Sequence, residues 1–134
     1  ELDSSIEIVF SNNLNEIIFS CDKEQLSRVF FNLIKNSIES IHQKIEKDSN
    51  SNKKITIELN DYDDHINLVI VDTGIGFDDL KSNIKKILNP YFTTKKNGTG
   101  LGLSIVNKII NDHNANIEFI SVDKGAKIEI IFLK

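Results

Sequence analysis

The chain has 134 residues, a net charge of −4, 40% hydrophobic and 27% charged residues. That is one domain's worth of sequence, long enough to bury a core of its own, and its balance excludes a basic nucleic-acid footprint. One cysteine, Cys21, excludes a disulfide framework and a multi-cysteine metal centre, and no apolar run reaches the length of a membrane helix. The sequence has no Met, so it is expected to be a piece of a longer protein.

Two β-rich runs, Ile6–Phe10 and Glu16–Cys21, flank Ser11-Asn12-Asn13 and predict a hairpin. The period then changes. Leu26, Val29, Phe30, Leu33, Ile34, Ser37, Ile38, Ile41 and Ile45 recur at three- and four-residue steps, one face of a long helix. Asp22 with Gln25 three residues on predicts its N-cap. Asn32 and Asn36 fall one turn apart at the edge of that face.

Ile55–Leu59 alternates as a half-buried strand does, and Leu68–Val71 is a continuous apolar run that predicts a central strand ending in Asp72. Leu80–Leu88 predicts a short helix and residues 89–100 a loop. Leu103, Val106, Ile109 and Ile110 predict a helix ending near His113. Asn116–Val122 and Ala126–Leu133 predict two strands joined at Asp123-Lys124-Gly125. The expected class is α+β: a two-layer sandwich with a mixed, mostly antiparallel sheet and about three helices on one face. Residues 1–134 are expected to form one domain.

Two glycine clusters could carry chemistry. Gly74 and Gly76 follow a strand that ends in a carboxylate; Gly98, Gly100 and Gly102 precede a helix. Glycines let the backbone approach a ligand closely, and a helix N-terminus suits phosphate; ordinary turns use the same residues. Neither cluster is a Walker A loop or a GxGxxG fingerprint, and the HRD and DFG signatures are absent. Asp72 either accepts from an exocyclic amine such as that of adenine or shapes the glycine turn. Asn36 either offers a hard-cation oxygen of the kind Mg²⁺ takes beside phosphate and water or is a helix-surface Asn. The three histidines do not cluster.

Four segments together resemble the catalytic ATP-binding domain of bacterial two-component sensor histidine kinases, the Bergerat fold. Asp22–Ile41 is similar to its N box, Asp72–Asp78 to its first glycine box, Pro90–Lys95 to its F box, and Gly98–Val106 to its second glycine box. The resemblance runs from about Asp22 to Leu133. PYFTTK and VNKIINDH most resemble the nitrogen-regulation sensor type.

The resemblance implies ATP and Mg²⁺ as ligands. It makes Asn36 the Mg²⁺ ligand, with Asn32 in the same site, and Asp72 the partner of the adenine amine. Gly74 and Gly76 would let the chain pass the base. Residues from about Phe77 to Asn97 would form a lid anchored by Phe92, with Lys95 or Lys96 reaching the terminal phosphate. Gly98, Gly100 and Gly102 would hinge the lid and offer N–H groups to the phosphates, with Thr94, Thr99, Leu101 and Leu103 completing the nucleotide-binding set. It further implies a separate dimerisation domain bearing the phosphoacceptor His, a response regulator, and a homodimeric parent. This piece would be cytoplasmic and make no membrane contact itself; a membrane anchor would belong to the parent.

Some residues depart from the family pattern. Glu39 and Ser40 stand where many members have a basic residue, and Ala126 follows Gly125 where many have Thr. Asn114-Ala115 replaces a glycine-rich turn, though Asn tolerates left-handed backbone. ATP-hydrolysing relatives carry a general-base Glu four residues before the metal Asn; here that residue is Asn32, a carboxamide that takes no proton from water. The residues after the three histidines are Gln43, Ile66 and Asn114, none of them the acidic residue of a phosphoacceptor motif. The domain alone is therefore expected to bind ATP without phosphorylating itself. An ATP-binding interaction module without kinase activity, or an ATP-hydrolysing relative, is the alternative.

Overall fold

The computed structural model describes residues 5–12, 21–76, 102–122 and 125–134. Five strands form one sheet in the order β1-β2-β3-β5-β4: β1 (Glu7–Asn12), β2 (Lys54–Asp61), β3 (His65–Asp72), β4 (Ala115–Val122) and β5 (Gly125–Leu133). β2–β3, β3–β5 and β4–β5 pair antiparallel, and β1–β2 pairs parallel. Among the described residues two helices accompany the sheet, α1 (Lys23–Lys47) and α2 (Gly102–Asp112). The third expected helix, Leu80–Leu88, lies outside the described residues.

The turn expected at Ser11-Asn12-Asn13 needs correction at its first two residues. Ser11 and Asn12 belong to β1 rather than to a turn, and β1 runs parallel to β2, with Ile8 opposite Ile55 and Phe10 opposite Ile57. A parallel partner can be reached only through a long crossover, here the one that carries α1. Residues 13–20, most of the expected second arm, lie outside the described residues.

α1 forms where the 3.6-residue period runs. Asp22 caps it, its Oδ1 accepting from Gln25 N at 3.1 Å. Leu26, Val29, Leu33, Ser37 and Ile41 make the buried stripe. Phe30, expected on that stripe, sits on its flank and is 40% exposed. Leu33, Ile41, Val106 and Ile110 pack with Ile66, Ile70, Ile128, Ile130 and Phe132 in one core. The sheet members alternate along β3 and β5, so both helices cover one sheet face. Each fully buried Leu or Ile contributes about 1.5–3 kcal/mol. The other face is polar in places, as where Asn67 Nδ2 donates to Glu129 Oε2 at 2.7 Å.

α2 ends in a left-handed cap. Asn114 has φ 52° and its N–H donates to Asn111 O, so Asn supplies the geometry that glycine usually gives at this position. His113 ties the two helices together. Its Nδ1 lies 2.8 Å from Ile109 O, and its Nε2 accepts from Asp22 N at 3.0 Å. The acceptor role puts the ring's proton on Nδ1.

Candidate functional site: a carboxylate turn against the middle of a helix

The chain leaves the centre of the sheet at Asp72, the last residue of β3, flanked by Ile55 on β2 and Ala126 on β5. Asp72 is only 4% exposed. Its Oδ1 accepts from Gly74 N at 2.8 Å, an Asx turn that reverses the chain. Burial pushes its carboxyl above the ordinary carboxylate value, while the Gly74 N–H, the Ser37 hydroxyl and the Ala126 N–H pull the other way. Thr73 fixes the turn from outside: its Oγ1 donates to Asn52 O at 2.7 Å and accepts from Lys54 N at 3.0 Å.

The turn is wedged between α1 and the start of β5. Ile75 N donates to Ser40 Oγ at 2.9 Å. A Cβ on Gly74 would lie 2.6 Å from the Ser40 carbonyl carbon, so only glycine fits beside the helix. On the other side Gly76, at φ +74°, comes so close that a Cβ would sit 2.5 Å from Gly125 O. These two contacts, with the Asx bond, fix where the Asp72 carboxylate points.

The same stretch of α1 carries the asparagines. Asn36 and Asn32 are half-buried, one turn apart. Ser37, next to Asn36, is 2% exposed, and its hydroxyl stands by the Asp72 carboxylate. The fold therefore brings the middle of α1, with Asn36, against the Asp72–Gly76 turn. Gly102 and Leu103 open α2, which packs against α1, and Leu103 adds to the core. Phe92, Thr94, Lys95, Lys96, Gly98, Thr99, Gly100 and Leu101 lie outside the described residues, as do the F box and the whole of the expected lid.

Sequence reasoning missed Ser37 and Ser40 as site residues. Ser37's signal was present: it is the lone polar member of an apolar helical period. Ser40 left none, because only the tertiary approach of Gly74 gives it a role.

Residues 21–134 match the family model described as histidine kinase-, DNA gyrase B- and HSP90-like ATPase. The chain belongs to this ATPase family. Membership implies ATP binding, and the ATPase domain's similar proteins are sensor histidine kinases. A putative NtrY-like sensor histidine kinase of Rickettsia felis is 33% identical over 132 residues, 98% of this chain and 21% of that protein. Sporulation kinase E of Bacillus subtilis is 38% identical over 97 residues, 72% of this chain and 12% of that protein. The catalytic domain of histidine kinase ThkA, in a nucleotide-free form, has a TM-score of 0.79 at 29% identity, over 97% of this chain and 80% of that one. The ATPase domain thus spans about a fifth of the length of the NtrY-like relatives it matches. Among the described residues, no helix is long and apolar enough to cross a membrane.

The residues present fit the nucleotide that membership implies, and its usual companion cation. A buried carboxylate suits an amine donor, and a half-buried carboxamide on the facing helix offers a hard oxygen for Mg²⁺.

Proposed function

We propose that this chain is the catalytic ATP-binding domain of a two-component sensor kinase, which delivers the γ-phosphoryl group of ATP to a histidine on a separate dimerisation domain. The observation that carries it is the turn from Asp72 to Gly76, held by Ser40 against the helix turn that bears Asn36.

Asp72 accepts from the adenine 6-amine. Gly74 and Gly76 keep the backbone thin beside the base. Asn36 ligates Mg²⁺, with Asn32 in the same site. Bound Mg²⁺ supplies charge neutralisation at the phosphates. Gly98, Thr99, Gly100, Leu101, Gly102 and Leu103 bring N–H donors and apolar contacts to the phosphate end, and Phe92, Thr94 and Lys95 belong to the segment that closes over it. Phosphoryl transfer needs chiefly positioning and charge stabilisation, which this set supplies. Asn32 in place of a general base favours transfer to a protein side chain over hydrolysis.

The phosphoacceptor lies on another domain, since none of the three histidines has the required neighbour; His113 is also engaged at both ring nitrogens. The dimerisation domain of the same kinase is the immediate partner, a response regulator the next. The parent is a homodimer, with any membrane anchor outside residues 1–134 and this domain on the cytoplasmic side.

Titration of the chain with ATP, with and without Mg²⁺, tests the site. Binding in the micromolar to millimolar range that weakens without Mg²⁺, and an Asn36→Ala variant that loses the Mg²⁺ dependence, are expected. No Mg²⁺-dependent ATP binding at millimolar concentration would refute the proposal. Phosphorylation in trans of a supplied dimerisation domain from labelled ATP tests the transfer.

A further inference from the structure

The sheet is wider than the layer that covers it. Ile8 and Phe10 stand opposite Ile55 and Ile57, so they share the face on which Ile55 joins the core. Yet Ile8 is 42% exposed and Phe10 59%. The sheet's other edge is unlike this one: on β4, Phe119 is 9% exposed and Ile117 packs on the core.

The backbone of β1 is open along the same edge. Among the described residues its neighbour is β2 alone. Glu7 N donates to Lys53 O at 2.9 Å, and in a parallel ladder alternate residues turn both main-chain groups to the neighbour. Glu7, Val9 and Ser11 therefore serve β2, while Ile8 and Phe10 turn their N–H and C=O groups outward. The strand, EIVFSN, has neither the Lys nor the Pro that guards such edges.

An open edge with an apolar stripe fits another strand, and β1 is complementary to itself. In an antiparallel pair with its two-fold axis at Val9, Ile8 of each copy lies against Phe10 of the other, Glu7 against Ser11, and Val9 against Val9. Each Ile8–Phe10 pair then exchanges both of its main-chain hydrogen bonds, and no like charges stand opposite one another. An axis through Phe10 would set Ile8 against Asn12. An axis through Ile8 would carry Ser11 and Asn12 past the start of the strand.

We propose that β1 is a self-association edge, at which two copies of this chain pair β1 with β1, antiparallel about Val9, and join their sheets into one. Such an isologous contact closes as a dimer. It is small, so it belongs with the transient contacts. It lies two strands away from Asp72 and is independent of the ATP-binding role.

Sedimentation equilibrium of the full chain from about 10 μM to about 1 mM, a range suited to transient contacts, tests it. The mass should rise from that of a monomer toward that of a dimer. Ile8→Pro removes an outward N–H and leaves the bonds to β2; Phe10→Lys puts a charge on the edge. Both variants should stay monomeric, with the parent's far-UV circular dichroism and the parent's response to ATP. Oxidative cross-linking reads the register. In a Cys21→Ser background, Val9→Cys should give a disulfide-linked dimer, because facing residues of a non-hydrogen-bonded pair have Cα atoms about 4.5 Å apart. Glu7→Cys and Ser11→Cys should cross-link far more slowly. A parent that stays monomeric at about 1 mM would overturn the proposal. So would a dimer that survives both Ile8→Pro and Phe10→Lys, or one whose cross-linking peaks away from Val9.

Discussion

Gly74→Ala puts a methyl group where α1 already stands. The added Cβ would lie 2.6 Å from both the carbonyl carbon and the Cβ of Ser40 and closer still to its Oγ. The hydroxyl can rotate away, but the helix backbone cannot, so the turn must move. Overpacking of this kind costs about 1–3 kcal/mol. The displaced turn also loses the 2.9 Å bond from Ile75 N to Ser40 Oγ, about 1 kcal/mol more. The sum, about 2–4 kcal/mol, is a large part of the roughly 5–15 kcal/mol that holds a domain together. At about 3–4 °C per kcal/mol for a chain of this size, the melting temperature should fall by about 6–16 °C. Thermal and urea unfolding followed by far-UV circular dichroism measure it, and ATP titration of the folded variant should show weakened binding. Adding Ser40→Gly removes two of the three colliding atoms, so the double variant should be more stable than the summed single effects predict. A loss under about 0.5 kcal/mol for Gly74→Ala, in the range of an ordinary surface change, would refute the packing explanation. Strict additivity with Ser40→Gly would do so too.

Asp72 should show opposite signs in function and stability. Its folded carboxyl titrates above the ordinary value of 3.8 because of burial. From pH 3.8 upward the folded state holds that proton while the unfolded chain releases it, so stability falls as pH rises through the folded value. Asp72→Asn keeps an oxygen for Gly74 N and removes the charge. It should be at least as stable as the parent at pH 7, show no advantage below pH 3.8, and bind no ATP; a markedly less stable variant at pH 7 would contradict the burial account. His113→Phe removes the bonds to Asp22 N and Ile109 O and should cost about 1–2 kcal/mol in urea unfolding.

The elements whose signal is local were legible. The α1 period, its Asp22 cap and the buried run of β3 each depend on neighbours within a few residues, and each appears where the pattern puts it. What depends on distant chain was not. The parallel partner of β1 lies more than forty residues away, beyond the reach of a turn signal. Phe30 fits the apolar period yet sits on its flank, because the width of the buried stripe is set by what packs on it. At the site, the carboxylate and glycines stood out by residue type. Their reason did not: Gly74 is required by Ser40, thirty-four positions earlier, and Gly76 by Gly125. That Ser37 stands by Asp72 follows from tertiary packing, which a sequence does not state.

The imidazole bridge between the helices sets a mechanical tolerance. α2 has eleven residues, so it is a rod of roughly 16 Å, fastened by His113 at one end to the start of α1. Its other end is the first turn at Gly102, where Leu103 packs against the core. A tilt of about 4° about the fastened end carries that first turn through about 1 Å. A misplacement of that size can cost about a hundredfold in rate. A ring lodged at the far end of the rod therefore joins the core packing of Val106, Ile109 and Ile110 in setting where its first turn stands, so under the proposed function its loss would surface as poor transfer in a domain that still folds.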